Sequence, residues 1–161
     1  NLFSKINIKL ENTHVPCGMA NDPEQECADY DAAIKAAGGV DIQVLGIGSK
    51  GHIGFNEPPS AFDSRTRVVE LTEQTISDNA RFFETAEDVP KKAISMGVGT
   101  ILDAKSIILL SYGHGKAQAL KGAIEEAPDT MNPASALQSH SDMNFYVDEA
   151  SASSLTKQHK T

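Results

Sequence analysis

Val40-Asp41-Ile42-Gln43-Val44-Leu45, followed at once by Gly46-Ile47-Gly48-Ser49-Lys50-Gly51, is the stretch of sequence that decides the fold. The apolar, β-branched run predicts a strand, and the closely spaced glycines predict a turn at its carboxyl end. A second apolar run, Ser106 to Tyr112, is typical of a central strand in a parallel sheet. Helical patterns alternate with these short runs, as in α/β proteins. We therefore predict a three-layer α/β fold, a modified Rossmann arrangement with a mostly parallel sheet.

The segments on either side of this strand carry clear boundary signals. Asp22 can cap a helix that has Pro23 in its first turn and ends at Gly38-Gly39. Thr72 can cap a second helix. The remaining predicted elements are strands over 67–71, 93–99 and 144–148, a helix over 117–126, and short helical segments over 100–104 and 135–138.

Composition narrows the classes of function and partner. The 22 Asp and Glu residues outnumber the 14 Lys and Arg residues, and the resulting net charge of −8 argues against nucleic acid or an anionic membrane as a partner. No apolar run approaches the roughly 20 residues that a membrane-spanning helix needs. Cys17 and Cys27 match no metal or redox motif, which indicates two reduced thiols in a cytoplasmic protein.

The glycine turn also matches the pattern of a dinucleotide-binding loop, Gly46-x-Gly48-x-x-Gly51. Such a loop must open a helix whose N-terminus faces the pyrophosphate. Gly54 and Pro58-Pro59 prevent the segment after Gly51 from forming a helix of useful length. The pattern therefore does not indicate a nicotinamide cofactor.

A histidine and a glutamate follow the turn directly. In open α/β sheets, ligands bind at the carboxyl ends of strands, where Gly46 and Gly48 let a substrate lie against the backbone. His52 can transfer protons near neutral pH, and Glu57 can orient the imidazole and stabilise its charged form. The alternative is an ordinary loop histidine beside a solvated glutamate.

Several longer strings resemble the glucosamine-6-phosphate deaminase/isomerase family. The most specific is Gly51-His52-Ile53-Gly54-Phe55-Asn56-Glu57-Pro58. Weaker matches follow in the family's order at Ser64–Arg67, Asn79–Phe83, Met96–Ala104, Gly113–Leu120, Ser135–Gln138 and Val147–Ala150. The resemblance predicts one domain over residues 1–155, partial relative to the family, and a polar tail over 156–161.

The resemblance implies an activity and a set of roles. Members of the family open the ring of glucosamine 6-phosphate, isomerise it from aldose to ketose, and release ammonia to give fructose 6-phosphate, with no metal or organic cofactor. By resemblance, His52 is the ring-opening acid/base, Glu57 is its carboxylate partner, and Arg81 and Lys116 bind the phosphate. The implied partner is a small amino-sugar phosphate in the cytoplasm, and a homo-oligomer is possible.

Two positions depart from the family pattern. Lys50 stands where the family usually places Asp or Asn, and a cation beside His52 would lower the imidazole pKa. Val69 stands where members with an allosteric phosphosugar site carry a lysine, although Arg67 and Ser60 match that site. We therefore expect altered ring opening or an outward-turned Lys50, and no strong allosteric activation.

The family chain also carries a preceding segment, with a phosphate-binding loop and a proton-shuttling aspartate, that nothing in residues 1–45 resembles. We expect an incomplete fold and no deaminase activity from these 161 residues alone. Two alternatives stay open for the full-length protein: a related sugar-phosphate isomerase or lactonase, and a sugar-phosphate-binding regulator without catalysis.

Overall fold

The computed structural model describes residues 3–157 as an α/β protein. Its strands are β1 (Ile42–Gly46), β2 (Arg67–Glu70), β3 (Lys92–Ser95), β4 (Ser106–Ser111) and β5 (Met143–Val147). Its α-helices are α1 (Pro23–Ala36), α2 (Glu73–Asn79), α3 (Val98–Leu102), α4 (Ala117–Ile124) and α5 (Glu149–Ala152). Short 3-10 segments lie at Phe3–Lys5, Leu10–Asn12, Ala80–Phe82, Ala86–Asp88, His114–Lys116 and Pro133–Ser139.

The larger sheet has the order β1-β4-β5, and all three strands are parallel. Its register pairs Leu45 with Leu109, and Leu109 with Phe145. The predicted strand over 106–112 is therefore central, and the α/β class with a mostly parallel sheet is confirmed. Because β1 ends at this sheet's carboxyl edge, the glycine turn begins there.

The two faces of this sheet differ in burial. On one face, Leu45, Ile107 and Leu109 belong to the core, together with residues of α3, α4 and the 3-10 segment Pro133–Ser139. The other face remains open within the described residues. Its exposed fractions are 58% for Ile42, 57% for Val44, 47% for Leu110 and 58% for Tyr146. The sequence predicts an incomplete fold. In the described residues, the incomplete part is the cover of this apolar sheet face.

A separate two-stranded antiparallel sheet pairs β2 with β3. The strand predicted over 93–99 ends earlier, at Ser95, because Gly97 caps the short helix α3. A side chain at Gly97 would collide with the carbonyl groups of Ser64 and Arg65, so only glycine allows the chain to pass there. The β2–β3 sheet lies beside the loop that follows β1.

Helix α1 begins and ends as predicted. The Asp22 carboxylate accepts a hydrogen bond from the Gln25 amide at 3.0 Å, and Gly38 and Gly39 follow the helix with φ values of 90° and 89°. The Gln25 side chain donates to the Asp29 carboxylate, one turn further along the helix. None of the helices in residues 3–157 has the length and apolar character needed to cross a membrane.

Candidate active site

The loop after β1 is closed on itself by backbone hydrogen bonds. The Gly48 amide donates to the His52 carbonyl at 2.9 Å, and the Gly51 amide donates to the Gly48 carbonyl at 3.0 Å. Gly51 has a φ of 81°, a left-handed conformation that favours glycine. No helix follows within the loop, as predicted. The loop instead presents side chains at the carboxyl edge of the sheet.

His52 and Glu57 are in direct contact. The His52 Nδ1 atom lies 3.1 Å from the Glu57 Oε2 atom, and the two side chains are 31% and 14% exposed. An ionised carboxylate can only accept a hydrogen bond, so Nδ1 carries a proton. In the neutral imidazole, Nε2 is then the basic nitrogen. This tautomer leaves Nε2 ready to exchange a proton with a ligand.

The imidazole of His52 lies against the backbone of Gly48. A Cβ atom built on Gly48 would overlap the ring at Cε1, Nε2 and Cδ2. Glycine at position 48 therefore makes the observed ring position possible.

Glu57 has a second partner on α2. The Thr75 hydroxyl donates to Glu57 Oε1 at 2.7 Å, so each carboxylate oxygen of Glu57 has one partner. The Thr72 hydroxyl in turn contacts the Thr75 hydroxyl at 3.0 Å and caps α2 through the Thr75 amide at 3.2 Å. The sequence indicates only that Thr72 can cap α2. It does not indicate that this part of the helix contacts Glu57.

Asn56 fixes the loop to the β2–β3 sheet. It is fully buried, and its amide nitrogen donates to the carbonyls of Ile53 and Met96, each at 2.8 Å. The Arg67 guanidinium donates to Asn56 Oδ1 at 2.8 Å. Partial burial of this guanidinium lowers the pKa of Arg67. Sequence analysis missed Asn56 as a structural anchor, since a lone asparagine in a loop is usually exposed.

A cavity of about 100 Å³ opens beside the acid–base pair. His52, Glu57, Gly48, Lys50 and Lys116 contribute to its lining. Two cations thus share one pocket with the imidazole and two carboxylates, those of Glu57 and Asp78. The cations can bind an anionic group of a ligand that exchanges protons with the imidazole. A larger hollow of about 660 Å³ lies elsewhere, between α1 and α3, and its lining contains neither His52 nor Glu57.

Comparison with known proteins identifies the family. A family model described as glucosamine-6-phosphate isomerases/6-phosphogluconolactonase matches residues 1–146. The chain belongs to this family. Glucosamine-6-phosphate deaminase of Clostridioides difficile (strain 630) is 57% identical over 155 residues, 96% of this chain and 62% of that protein. The deaminase of Shewanella loihica (strain ATCC BAA-1088 / PV-4) is 56% identical over 96% of this chain and 58% of its own length.

Solved structures agree with this assignment. A monomeric glucosamine-6-phosphate deaminase superposes with a TM-score of 0.90 at 46% identity, over 95% of this chain and 64% of that one. A 6-phosphogluconolactonase from Trypanosoma cruzi, 23% identical with a TM-score of 0.64, shares the fold. The chain spans about three fifths of the length of the curated relatives named above.

The structure brings together four of the six site residues predicted by family resemblance and sequence pattern. His52, Glu57, Gly48 and Lys116 share the pocket, and Lys116 lies immediately before α4, which begins at Ala117 as predicted. Gly46 is exposed at the end of β1, with no atom near its Cβ direction. Neither Gly46 nor Arg81 contributes to the pocket lining.

Arg81 lies in the 3-10 segment after α2. Its guanidinium is exposed and lies 4.8 Å from the centre of the Phe82 ring. Its predicted phosphate-binding role therefore stays a prediction. Within residues 3–157, no group of three or more His, Cys, Asp or Glu side chains is arranged to hold a metal ion.

Proposed function

We propose that this chain carries the acid–base pair of a glucosamine-6-phosphate deaminase, which converts glucosamine 6-phosphate and water into fructose 6-phosphate and ammonia. The contact between His52 Nδ1 and Glu57 Oε2, beside a pocket that also contains Lys116, carries this proposal. The curated relatives, named as deaminases, support the choice of substrate.

Ring opening is the step assigned to His52. The C1–O5 bond breaks, the hydroxyl on C1 loses a proton, and O5 gains one. Neutral His52 can accept the first proton at Nε2 and return it to O5. Glu57 keeps Nδ1 protonated and stabilises the transient imidazolium. The pair therefore fits a step that needs one group to act first as base and then as acid.

We assign phosphate binding to Lys116. Family resemblance adds Arg81, which lies outside the pocket lining. Lys116 is half-buried at the start of α4, where its ammonium can face the pocket. Lys50 adds a second cation to the same lining. It stands in place of the Asp or Asn that the family resemblance predicts, and its charge favours an anionic group closer to His52.

An ammonia-release assay with glucosamine 6-phosphate tests the proposal. In the full-length protein, we expect turnover that falls a hundredfold or more in His52→Ala, because positioned acid–base groups contribute about that much. The 161 residues alone should be inactive. Parallel assays with a 6-phosphogluconolactone distinguish the lactonase alternative. Equal ammonia release by parent and His52→Ala would refute the assigned role. The cytoplasmic location and a homo-oligomer stay predictions.

A further inference from the structure

We propose that Thr75 is a positioning residue, which holds the Glu57 carboxylate in the orientation that His52 requires. The inference rests on the proposed acid–base role of the pair. It concerns a side chain on α2, an element separate from the loop that carries His52 and Glu57.

The hydrogen bonds of α2 run in one direction, toward the Glu57 carboxylate, which also accepts one from the imidazole. The Thr75 amide donates to the Thr72 hydroxyl, which donates to the Thr75 hydroxyl, which donates to Glu57 Oε1. Each hydroxyl has one proton, so this arrangement uses both. Because Glu57 as a carboxylate can only accept, the Thr75 proton must point toward it. Chains of this kind strengthen one another in a partly buried setting.

Thr75 has the rigidity that such a role requires. It is only 7% exposed and lies in the first turn of α2, capped by Thr72. A glutamate has three rotatable side-chain bonds, and ordering it costs conformational entropy. The bond to Oε1 limits that freedom and leaves Oε2 directed at Nδ1 of His52. Loss of the Thr75 hydroxyl should therefore uncouple Glu57 from His52 without removing either residue.

The test is a double-mutant cycle on the tautomer of His52, measured from the NMR chemical shifts of the two imidazole nitrogens in the 161-residue chain. Glu57→Gln removes the ionised acceptor of Nδ1 and should lower the fraction of neutral imidazole that is protonated at Nδ1 in the parent. In a Thr75→Val background, we expect the same substitution to produce less than half of that decrease. Thr75→Ser, which keeps the hydroxyl, should restore the full effect. The pocket's other titratable side chains, Lys50, Asp78 and Lys116, stay unchanged throughout.

An undiminished effect of Glu57→Gln in folded Thr75→Val protein would overturn the inference. So would a failure of Thr75→Ser to restore the coupling. If valine prevents folding, Thr75→Ala gives the same comparison, since the Thr72 cap of the Thr75 amide remains available.

Kinetics of the full-length protein give an independent measurement. Thr75→Val should lower kcat about tenfold and change KM less than about twofold, because it disturbs proton transfer and not phosphate binding. A raised KM with unchanged kcat would contradict a positioning role. Absence of ammonia release in the parent would remove the proposed function, whereas the tautomer cycle would still decide whether Thr75 positions Glu57.

Discussion

Gly48 is the smallest residue of the pocket, and the position of the imidazole depends on it. Any side chain at Gly48 would occupy the space of the His52 ring. The ring can move aside more easily than a backbone can, so the collision should disturb the site more than the fold. Gly46, two residues earlier, has open space in the same direction and offers a matched control.

We expect Gly48→Ala to abolish the response of the His52 tautomer to Glu57→Gln, with little change in melting temperature. In the full-length protein it should reduce ammonia release by a hundredfold or more, the usual contribution of a positioned acid–base group. The NMR chemical shifts of the imidazole nitrogens and a thermal melt are the two measurements. Gly46→Ala should leave both near parental values. A large loss of stability in Gly48→Ala alone would show that the glycine is needed for folding instead.

The pair formed by Arg67 and Asn56 anchors the loop from the opposite side. Arg67→Ala would leave Asn56 Oδ1 fully buried without its charged donor. We expect a loss of about 1–3 kcal/mol in the free energy of unfolding, the usual cost of an unsatisfied buried polar group. Urea denaturation measures it. Arg81→Ala, which removes an exposed guanidinium, should cost much less. Equal losses would mean that Asn56 finds another partner.

At the scale of elements, Asp148 joins the end of β4 to the start of α5. Its carboxylate accepts from the Ser151 amide at 2.8 Å and from the Gly113 amide at 3.0 Å. Hydrogen bonds from the Ser151 and Gly113 amides lower the pKa of Asp148, although burial works in the opposite direction. The hydrogen bonds to the charged carboxylate therefore outweigh the effect of burial on the pKa of Asp148.

This lowered pKa makes the contribution of Asp148 dependent on pH. The contribution is fully present above the unfolded pKa, about 3.9, and is lost as the pH falls through the lower folded value. We expect Asp148→Asn to be less stable than the parent by a constant amount above about pH 5, and the difference to shrink below about pH 4. Denaturation curves at several pH values measure it. Glu84→Gln, at an exposed position in another segment, should show no such convergence.

For the whole molecule, the open face of the β1-β4-β5 sheet is the least usual feature. Parallel sheets normally have both faces covered. Here Ile42, Val44, Leu110 and Tyr146 expose apolar surface on one face. Exposed apolar patches of this kind promote association, since burying them is favourable by about 25 cal/mol per Å².

We therefore expect the 161-residue chain to self-associate as its concentration rises. Replacing Val44 and Leu110 together by threonine, which keeps strand propensity, should weaken that association in sedimentation velocity experiments. A control replaces Val15 and Met19, which are 78% and 91% exposed outside the sheet. A monomer at all concentrations, or an equal effect of the control pair, would contradict the expectation.

The amino-acid sequence determined the features that depend on neighbouring residues. The α/β class, the capped start of α1, the central strand β4 and the turn without a following helix were all predicted, because periodicity, caps and glycines act locally. The pattern after the glycine turn singled out His52 and Glu57, and family resemblance added their roles. The short helix α5 and the early end of β3 were missed, since α5 has only four residues and β3 ends where the chain turns into α3.

Only the tertiary structure decided which distant residues meet. It placed Thr75 on Glu57 across 18 positions, joined Arg67 to Asn56 across 11, and separated β2 and β3 into their own antiparallel sheet. No local pattern specifies such contacts, because they arise from the packing of whole elements. It also left Arg81 outside the pocket lining that contains Lys116, since the direction of a side chain at a helix end depends on the elements packed around it.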